Sequence, residues 1–160
     1  MEADEESREE EAQVNKLSTM LWFDGQAEEA AKFYASVFKG KLGKPMVQPG
    51  TQKVLVATFE IRGQEFSALN GGPRFKFNES VSFVVHCKDQ KEVDYYWEKL
   101  LSGGGEESMC GWLKDKYGLS WQVTPDTLLE LMRGPKAAKV MEAFMKMRKF
   151  DIATLKRAAA

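Results

Sequence analysis

The sequence predicts an α+β domain in which a strand–helix–strand unit occurs twice and a helical extension follows. Three observations predict this class. Apolar and polar residues alternate along residues 81–87, as expected of a strand with one buried face. Apolar residues recur at helical spacing along residues 27–38. A shift of 63 residues lays that helical segment over a second one at 91–101, which indicates an internal duplication.

The first half begins with a strand at residues 17–23, followed by a turn at Asp24-Gly25 and a helix. The helical stripe predicted to be buried consists of Ala27, Ala30, Ala31, Tyr34, Val37 and Phe38. Residues 40–50 are predicted as loop. Two strands at 54–61 and 64–69 then follow, joined by a tight turn.

The second half repeats this order. A strand at residues 81–87 leads into a helix at 91–101, and a glycine-containing loop follows at 102–105. Residues 110–114 and 119–124 are predicted to form a hairpin around the four residues between them. The same kinds of element in the same order support the duplication.

Beyond Pro125 the sequence becomes helical. Asp126 is a plausible cap for a short helix, residues 136–149 form a second one, and Asp151 caps a third. The predicted organisation is an acidic tail at 1–15, a domain at 16–124 with halves 16–73 and 74–124, and a helical extension at 125–160.

Charge and composition exclude several function classes. Residues 1–15 carry seven acids and one arginine, which makes this segment a candidate disordered tail or, alternatively, an acidic docking tail. With a total net charge of −1, the rest of the chain carries +5, which is too little to predict nucleic-acid binding. No stretch approaches a membrane span or a secretory signal, so a cytoplasmic protein with no membrane partner is expected.

Five ordered segments carry a family resemblance. They read LWFDG at 21–25, AEEAAKFY at 27–34, FSALNGG at 66–72, VDYYWEKL at 93–100 and CGWLKDKYGLSWQ at 110–122. In this order and spacing the chain closely resembles the PhnB-like branch of the glyoxalase/bleomycin-resistance/dioxygenase superfamily, also called vicinal oxygen chelate. The resemblance covers about residues 17–158 and includes members labelled 3-demethylubiquinone-9 3-methyltransferase domains.

The resemblance implies paired βαβββ modules, each forming half of a cleft, and commonly a homodimer. Metal-dependent relatives hold one divalent ion with His and Glu side chains, and this chemistry needs about three convergent N or O ligands. Here the first strand contains no His, Glu or Asp, and the corresponding later positions hold Asn70, Ser80, Ser82 and Gln122. These neutral groups are weak ligands, so neither a protein-bound catalytic metal nor another cofactor is expected.

Methyl transfer of the usual kind is not expected. It needs a glycine-rich turn after a first strand, and the Gly103-Gly104-Gly105 run follows a predicted helix instead. No catalytic residue can be assigned. His86 is read as a solvated strand-end histidine or a general base, and Cys110 as a structural thiol or a nucleophile.

The cleft that the resemblance implies has candidate lining residues on alternating strand positions. They are Thr19, Leu21, Phe23, Asn70, Ser80, Ser82, Trp112, Ser120 and Gln122. An apolar wall with a few neutral hydrogen-bonding groups suits a neutral or aromatic small molecule. Alternatively, the cleft is filled by the protein's own side chains.

Three functions remain open at this point. The first is a metal-independent protein that binds a small molecule and catalyses no reaction. The second is a lyase, isomerase or dioxygenase of the same superfamily, which rests on the resemblance alone. The third is an interaction module that acts through the basic, methionine-rich helices of the extension, although those helices could simply dock on their own domain or on a dimer partner.

Overall fold

A computed structural model describes residues 17–160, and the predicted acidic tail at 1–15 lies outside the described residues. The chain divides into two compact units, Met1–Phe75 and Lys76–Ala160, and each contains one sheet. The predicted α+β class is confirmed. In the described part of the chain, no helix has both the length and the apolar character needed to cross a bilayer.

The first unit places one helix on a mixed sheet. Its elements are β1 (Thr19–Phe23), α1 (Ala27–Phe38), β2 (Lys41–Leu42), β3 (Met46–Val47), β4 (Val54–Ile61) and β5 (Gln64–Asn70). The strand order is β1-β5-β4-β2, and β3 also pairs with β4. Strand β1 runs parallel to β5, whereas β4 runs antiparallel to β5.

Aromatic stacking holds α1 on this sheet. All six residues of the predicted helical stripe are buried, which confirms that prediction. The Tyr34 ring stacks on Phe59 of β4 with centroids 5.6 Å apart, and Phe59 stacks on Phe66 of β5 at 5.2 Å. Such large rings contribute most of the apolar area that a small core can bury.

The predicted loop at residues 40–50 is wrong at two places, because β2 and β3 both pair with β4. Glycine permits this pairing. A Cβ atom on Gly40 would collide with the Glu60 carbonyl oxygen, and one on Gly43 would collide with the Thr58 hydroxyl. Two-residue strands leave too few positions for an alternating pattern to be visible in the sequence.

The second unit repeats the arrangement and adds helices. Its elements are β6 (Ser82–Cys87), α2 (Gln90–Leu101), β7 (Glu106–Glu107), β8 (Trp112–Lys114), β9 (Ser120–Pro125), α3 (Asp126–Leu131), α4 (Ala137–Phe144) and α5 (Ile152–Ala158). The strand order is β6-β9-β8-β7, with β6 parallel to β9. The predicted hairpin is confirmed as β8 and β9, and β7 extends it.

The extension folds as its own small cluster within the second unit. Leu128, Val140, Phe150 and Leu155 are buried together. The predicted cap at Asp151 is confirmed, since its carboxylate accepts from the Thr154 N–H at 2.7 Å. Asp126 is instead the first residue of α3, after Pro125 at the N-cap.

The predicted helix at 136–149 ends early, at Phe144. Two carbonyl oxygens beyond Phe144 accept hydrogen bonds from the residues that precede β8. The N–H of Cys110 donates to Met147 O at 2.7 Å, and the N–H of Gly111 donates to Arg148 O at 2.8 Å. These tertiary bonds take the place of further helical turns.

Candidate functional site

Each sheet has one face covered by its helix and one open face. In the first unit, the Tyr34–Phe59–Phe66 stack identifies the covered face. Side chains alternate along a strand and match across a register, so Leu21, opposite Ala68, shares the covered face with Phe66. The open face carries the intervening residues.

This geometry corrects the candidate set in the first unit. Thr19, Leu21, Phe23 and Asn70 do share one face, as predicted, but that face is the one under α1. Leu21 and Phe23 are 5% and 3% exposed, and both belong to the core. Placing these four residues on an open face was therefore wrong.

The connection between strand and helix differs between the two halves. Helices α1 and α2 are offset by 63 residues at both ends, as the duplication predicts. Three residues separate β1 from α1, whereas two separate β6 from α2. The equivalent strand positions are therefore offset by 64, so that Phe23 corresponds to Cys87. A one-residue change exchanges the two faces of a strand.

Asn70 has a structural task on the covered face. Its Oδ1 accepts from the N–H of Ala27, the first residue of α1, at 2.9 Å, and its Nδ2 donates to Val54 O at 3.0 Å. The N-cap residue of α1 provides no side-chain bond of its own. Asn70 thus supplies the missing acceptor at the start of α1 and links that helix end to β4 through its two hydrogen bonds.

A row of charged residues, Glu60, Glu65 and Lys41, crosses the open face of the first unit, and two further rows lie beside it. One row is apolar, with Trp22, Leu69, Val56 and Met46 in register. The other contains Met20, Ser67 and Thr58. Trp22 is fixed by a hydrogen bond from Nε1 to Gly72 O at 2.8 Å and by edge-to-face contact with Phe75. Both faces of β1 are largely apolar, so its sequence contains no polarity contrast that would distinguish them.

In the second unit, the contacts of α2 identify the covered face of the sheet. Trp97 of α2 donates from Nε1 to Glu107 at 3.0 Å, and Glu107 pairs with Leu113. The Leu113 side of the sheet is therefore the covered face. Trp121, opposite Leu113, is 3% exposed on that face, and Gln122 lies on the open face, as expected.

Gln122 forms the centre of the open face in the second unit. Its Nε2 donates to Ser82 Oγ at 2.9 Å. Across the register it lies between Val84 of β6 and Trp112 of β8. The Gln122 carbonyl oxygen and the Ser82 hydroxyl hydrogen then form an acceptor and a donor side by side, flanked by apolar surface.

Two neighbours adjust the polarity of this face. Ser120 lies beside Ser82 and Lys114 in the register, and within residues 17–160 its Oγ is a buried oxygen without a hydrogen-bond partner. Lys114 forms an ion pair with Glu79. The hydrogen bond between the two side chains and the opposite charge of each partner lower the pKa of Glu79 and raise the pKa of Lys114. Both groups are therefore ionised, and the pair contributes no net charge.

The remaining polar candidates have local surroundings. Ser80 is exposed before β6 begins and donates from Oγ to Asn78 Oδ1 at 2.5 Å. His86 is exposed at the end of β6, with Nδ1 3.8 Å from Asp126 Oδ1. The Cys110 sulfur lies 3.8 Å from that of Met145. None of the three adjoins the Gln122–Ser82 pair in the strand register.

A buried aspartate supports this face and was missed in the sequence. Asp115, 3% exposed, accepts from the N–H groups of Tyr117 and Leu119 through Oδ1 and from Trp121 Nε1 through Oδ2. It thereby closes the β8–β9 turn and fixes the strands that carry Trp112 and Gln122. The run of four turn residues predicts a turn but not the bond to Trp121.

The donor chemistry of the open faces does not fit the divalent ion that the superfamily implies. Gln122, Ser82 and Ser120 offer neutral oxygens, whereas His and carboxylate ligands are what such ions require. Among residues 17–160, no three His, Cys, Asp or Glu side chains are grouped as metal ligands.

Comparison with known proteins agrees with this architecture. Residues 15–124 match the family model described as 3-demethylubiquinone-9 3-methyltransferase. The PhnB protein from Bacillus cereus is 33% identical with a TM-score of 0.63, covering 69% of this chain and 99% of that one. No curated protein matches the sequence.

More distant solved structures share the fold alone. Protein PA1353 from Pseudomonas aeruginosa is 19% identical with a TM-score of 0.57, covering 69% of this chain and 96% of its own. The fosfomycin resistance protein FosX from Mesorhizobium loti is 12% identical with a TM-score of 0.58, at coverages of 75% and 98%. The chain therefore belongs to the 3-demethylubiquinone-9 3-methyltransferase-like family, the PhnB-like branch of the glyoxalase superfamily.

Proposed function

We propose that this protein binds a small uncharged molecule on the open sheet face of its second unit without a protein-bound metal. The observation that carries the proposal is the Gln122–Ser82 pair, with its adjacent acceptor and donor between Val84 and Trp112. An amide, a hydroxyketone or a similar neutral group could satisfy both atoms at once. The flanking apolar side chains suit an aromatic or aliphatic body.

Charge on this face favours an uncharged ligand. Ser82 and Ser120 beside Gln122 are neutral, and Lys114 is flanked by its ion-pair partner Glu79 and its register partner Glu106. A charged ligand at Gln122 would give up hydration without an opposite charge among the nearest register neighbours, Val84 and Trp112, which is costly.

The proposed function does not include methyl transfer, the reaction for which the family is named. Gly103, Gly104 and Gly105 follow helix α2 and lead into β7, so they do not form a turn that opens a helix after a first strand. Binding without turnover is the function that the neutral, hydrogen-bonding face supports best.

Two measurements test the proposal. The first is elemental mass spectrometry for manganese, iron, nickel and zinc, with thermal shifts against the same divalent ions. A full equivalent of one of them, lost on Gln122→Ala, would overturn metal independence. The second is saturation-transfer NMR with uncharged and charged sets of aromatic fragments.

Matched variants make the NMR result specific. Gln122→Ala and Ser82→Ala each remove one member of the pair, and both should weaken the binding of uncharged fragments. Gln64→Ala is the control, because Gln64 is an exposed strand glutamine in the first unit. Fragments that bind all four proteins equally would refute a site at Gln122. The resemblance also supports a homodimer as part of the proposal, which sedimentation velocity would test.

A further inference from the structure

Two sulfur atoms meet where the extension docks on the hairpin region of the second unit. Cys110 Sγ lies 3.8 Å from Met145 Sδ. Cys110 is a free cysteine and half-buried, and Met145 is 56% exposed. Solvent and small ions can therefore reach the pair without unfolding of the chain.

The backbone holds this corner in place. Cys110 adopts a left-handed conformation, with φ of 58°, and its N–H donates to Met147 O at 2.7 Å. The next N–H, of Gly111, donates to Arg148 O at 2.8 Å. A non-glycine residue in this region is uncommon and is kept there by its surroundings. The thiol position is thus set before any ligand arrives.

The separation of the two sulfurs suits a shared metal ion. With metal–sulfur distances of about 2.3 Å, as in zinc thiolates, two ligands at roughly 110–120° have sulfurs about 3.8–4.0 Å apart. Thiolate and thioether donors are soft and select Cu(I) over the hard divalent ions. A pair with one thiol and one thioether is therefore distinct in chemistry from the superfamily's His and Glu site.

A third sulfur lies in α4, and Met145 is the C-cap residue that follows this helix. The Met145 N–H donates to Met141 O at 3.0 Å, so Met141 lies one turn earlier on the same side of α4. Met141 is 48% exposed, and its flexible thioether can rotate toward the pair. Three sulfur donors around Cu(I) would complete a trigonal set.

We propose that Cys110 and Met145 bind one Cu(I) ion, with Met141 as the third ligand. On binding, the Cys110 thiol releases its proton to solvent and the sulfur bonds to the ion, and no electron transfer is involved. The site lies outside the open sheet faces, so the proposal stands independently of the small-molecule function.

The test is an anaerobic competition for copper. Cu(I), kept reduced by ascorbate, is presented as its coloured bicinchoninate complex, and the protein is titrated into it. The full chain should remove one Cu(I) per molecule. Cys110→Ser should abolish this, and Met145→Leu and Met141→Leu should each weaken affinity by about tenfold or more, as loss of metal-site residues commonly does.

Controls separate this site from general sulfur binding. Met46→Leu removes another exposed methionine, 60% exposed in the first unit, and should bind copper as the unmodified chain does. Since Met145 is exposed, Met145→Leu should fold normally, which circular dichroism verifies. Failure of the chain to compete for Cu(I), or unchanged affinity in Met145→Leu, would overturn the proposal. Unchanged affinity in Met141→Leu would overturn the third ligand.

Discussion

Replacing Asp115 by Asn should destabilise the protein through one specific contact. The carboxylate accepts three N–H groups, two from the turn backbone and one from the Trp121 indole at 2.9 Å. An amide of the same shape can still accept the two backbone bonds through its oxygen. Its NH₂ group, however, would face the indole N–H, so that two donors oppose each other in a buried position.

The size of the effect follows from the bonds that change. Loss of one hydrogen bond to a charged acceptor costs about 1.5–3 kcal/mol, and the two remaining bonds weaken when they become neutral. We therefore expect Asp115→Asn to lower the free energy of unfolding by about 2–4 kcal/mol. Urea unfolding followed by circular dichroism measures this difference.

A double-mutant cycle with Trp121→Phe isolates the opposed pair. Phenylalanine removes the indole N–H, so Asp115→Asn should cost about 1.5–3 kcal/mol less in that background. The packing loss from the smaller ring cancels in the cycle. Asp24→Asn, at an exposed aspartate, controls for the loss of one charge. A coupling free energy below about 0.5 kcal/mol would refute the reasoning, because the unfolding free-energy changes of two independent mutations add to within about that margin.

Three further predictions concern other parts of the fold. Asn70→Ala should cost about 1–3 kcal/mol in urea unfolding, since it leaves a helix-start N–H and a strand carbonyl without their partner; no loss would mean that water replaces the amide. Gly111→Ala should cost about 2–5 kcal/mol, because φ is +79° and the new Cβ would collide with the Phe150 ring. Gly118→Ala, with φ of +85° and open space around it, should cost only the backbone part of about 1–2 kcal/mol, so equal losses would argue against the collision. The backbone hydrogen bond from Thr154 lowers the pKa of Asp151 below 3.8, so its stabilisation is present above pH 3.8 and is lost as the pH falls through the folded value. In Asp151→Asn, the free energy of unfolding should therefore fall less steeply as the pH is lowered below 3.8, and an unchanged slope would contradict the prediction.

The sequence predicted the elements whose periodicity is long enough to be visible. Both half-unit helices and the hairpin at 112–125 were found, because apolar residues recur over three turns or alternate beside a clear turn. The strands β2 and β3 were missed, since two residues carry no period. Helix α4 was predicted too long because its sequence stays helical, while the N–H groups of Cys110 and Gly111 take the carbonyls beyond it.

The prediction of the candidate site depended on the same kind of pattern. On β9, polar residues alternate with apolar ones, so the sequence predicts that Trp121 and Gln122 lie on opposite faces. On β1, Leu21 and Trp22 are both apolar, and only the register with β5 decides which is buried. The Asp115–Trp121 bond depends on a side-chain contact that no local pattern encodes.

The unequal strand-to-helix connections have a consequence for anyone who copies one half onto the other. If a residue is transferred by aligning the helices, a group meant for solvent enters the core, and the reverse also occurs. A two-fold symmetric design, or a reconstruction of the ancestral single module, must delete one residue before α1 or insert one before α2. Only then do Met20 and Val84 become equivalent positions on which a symmetric pair of new ligands could be built.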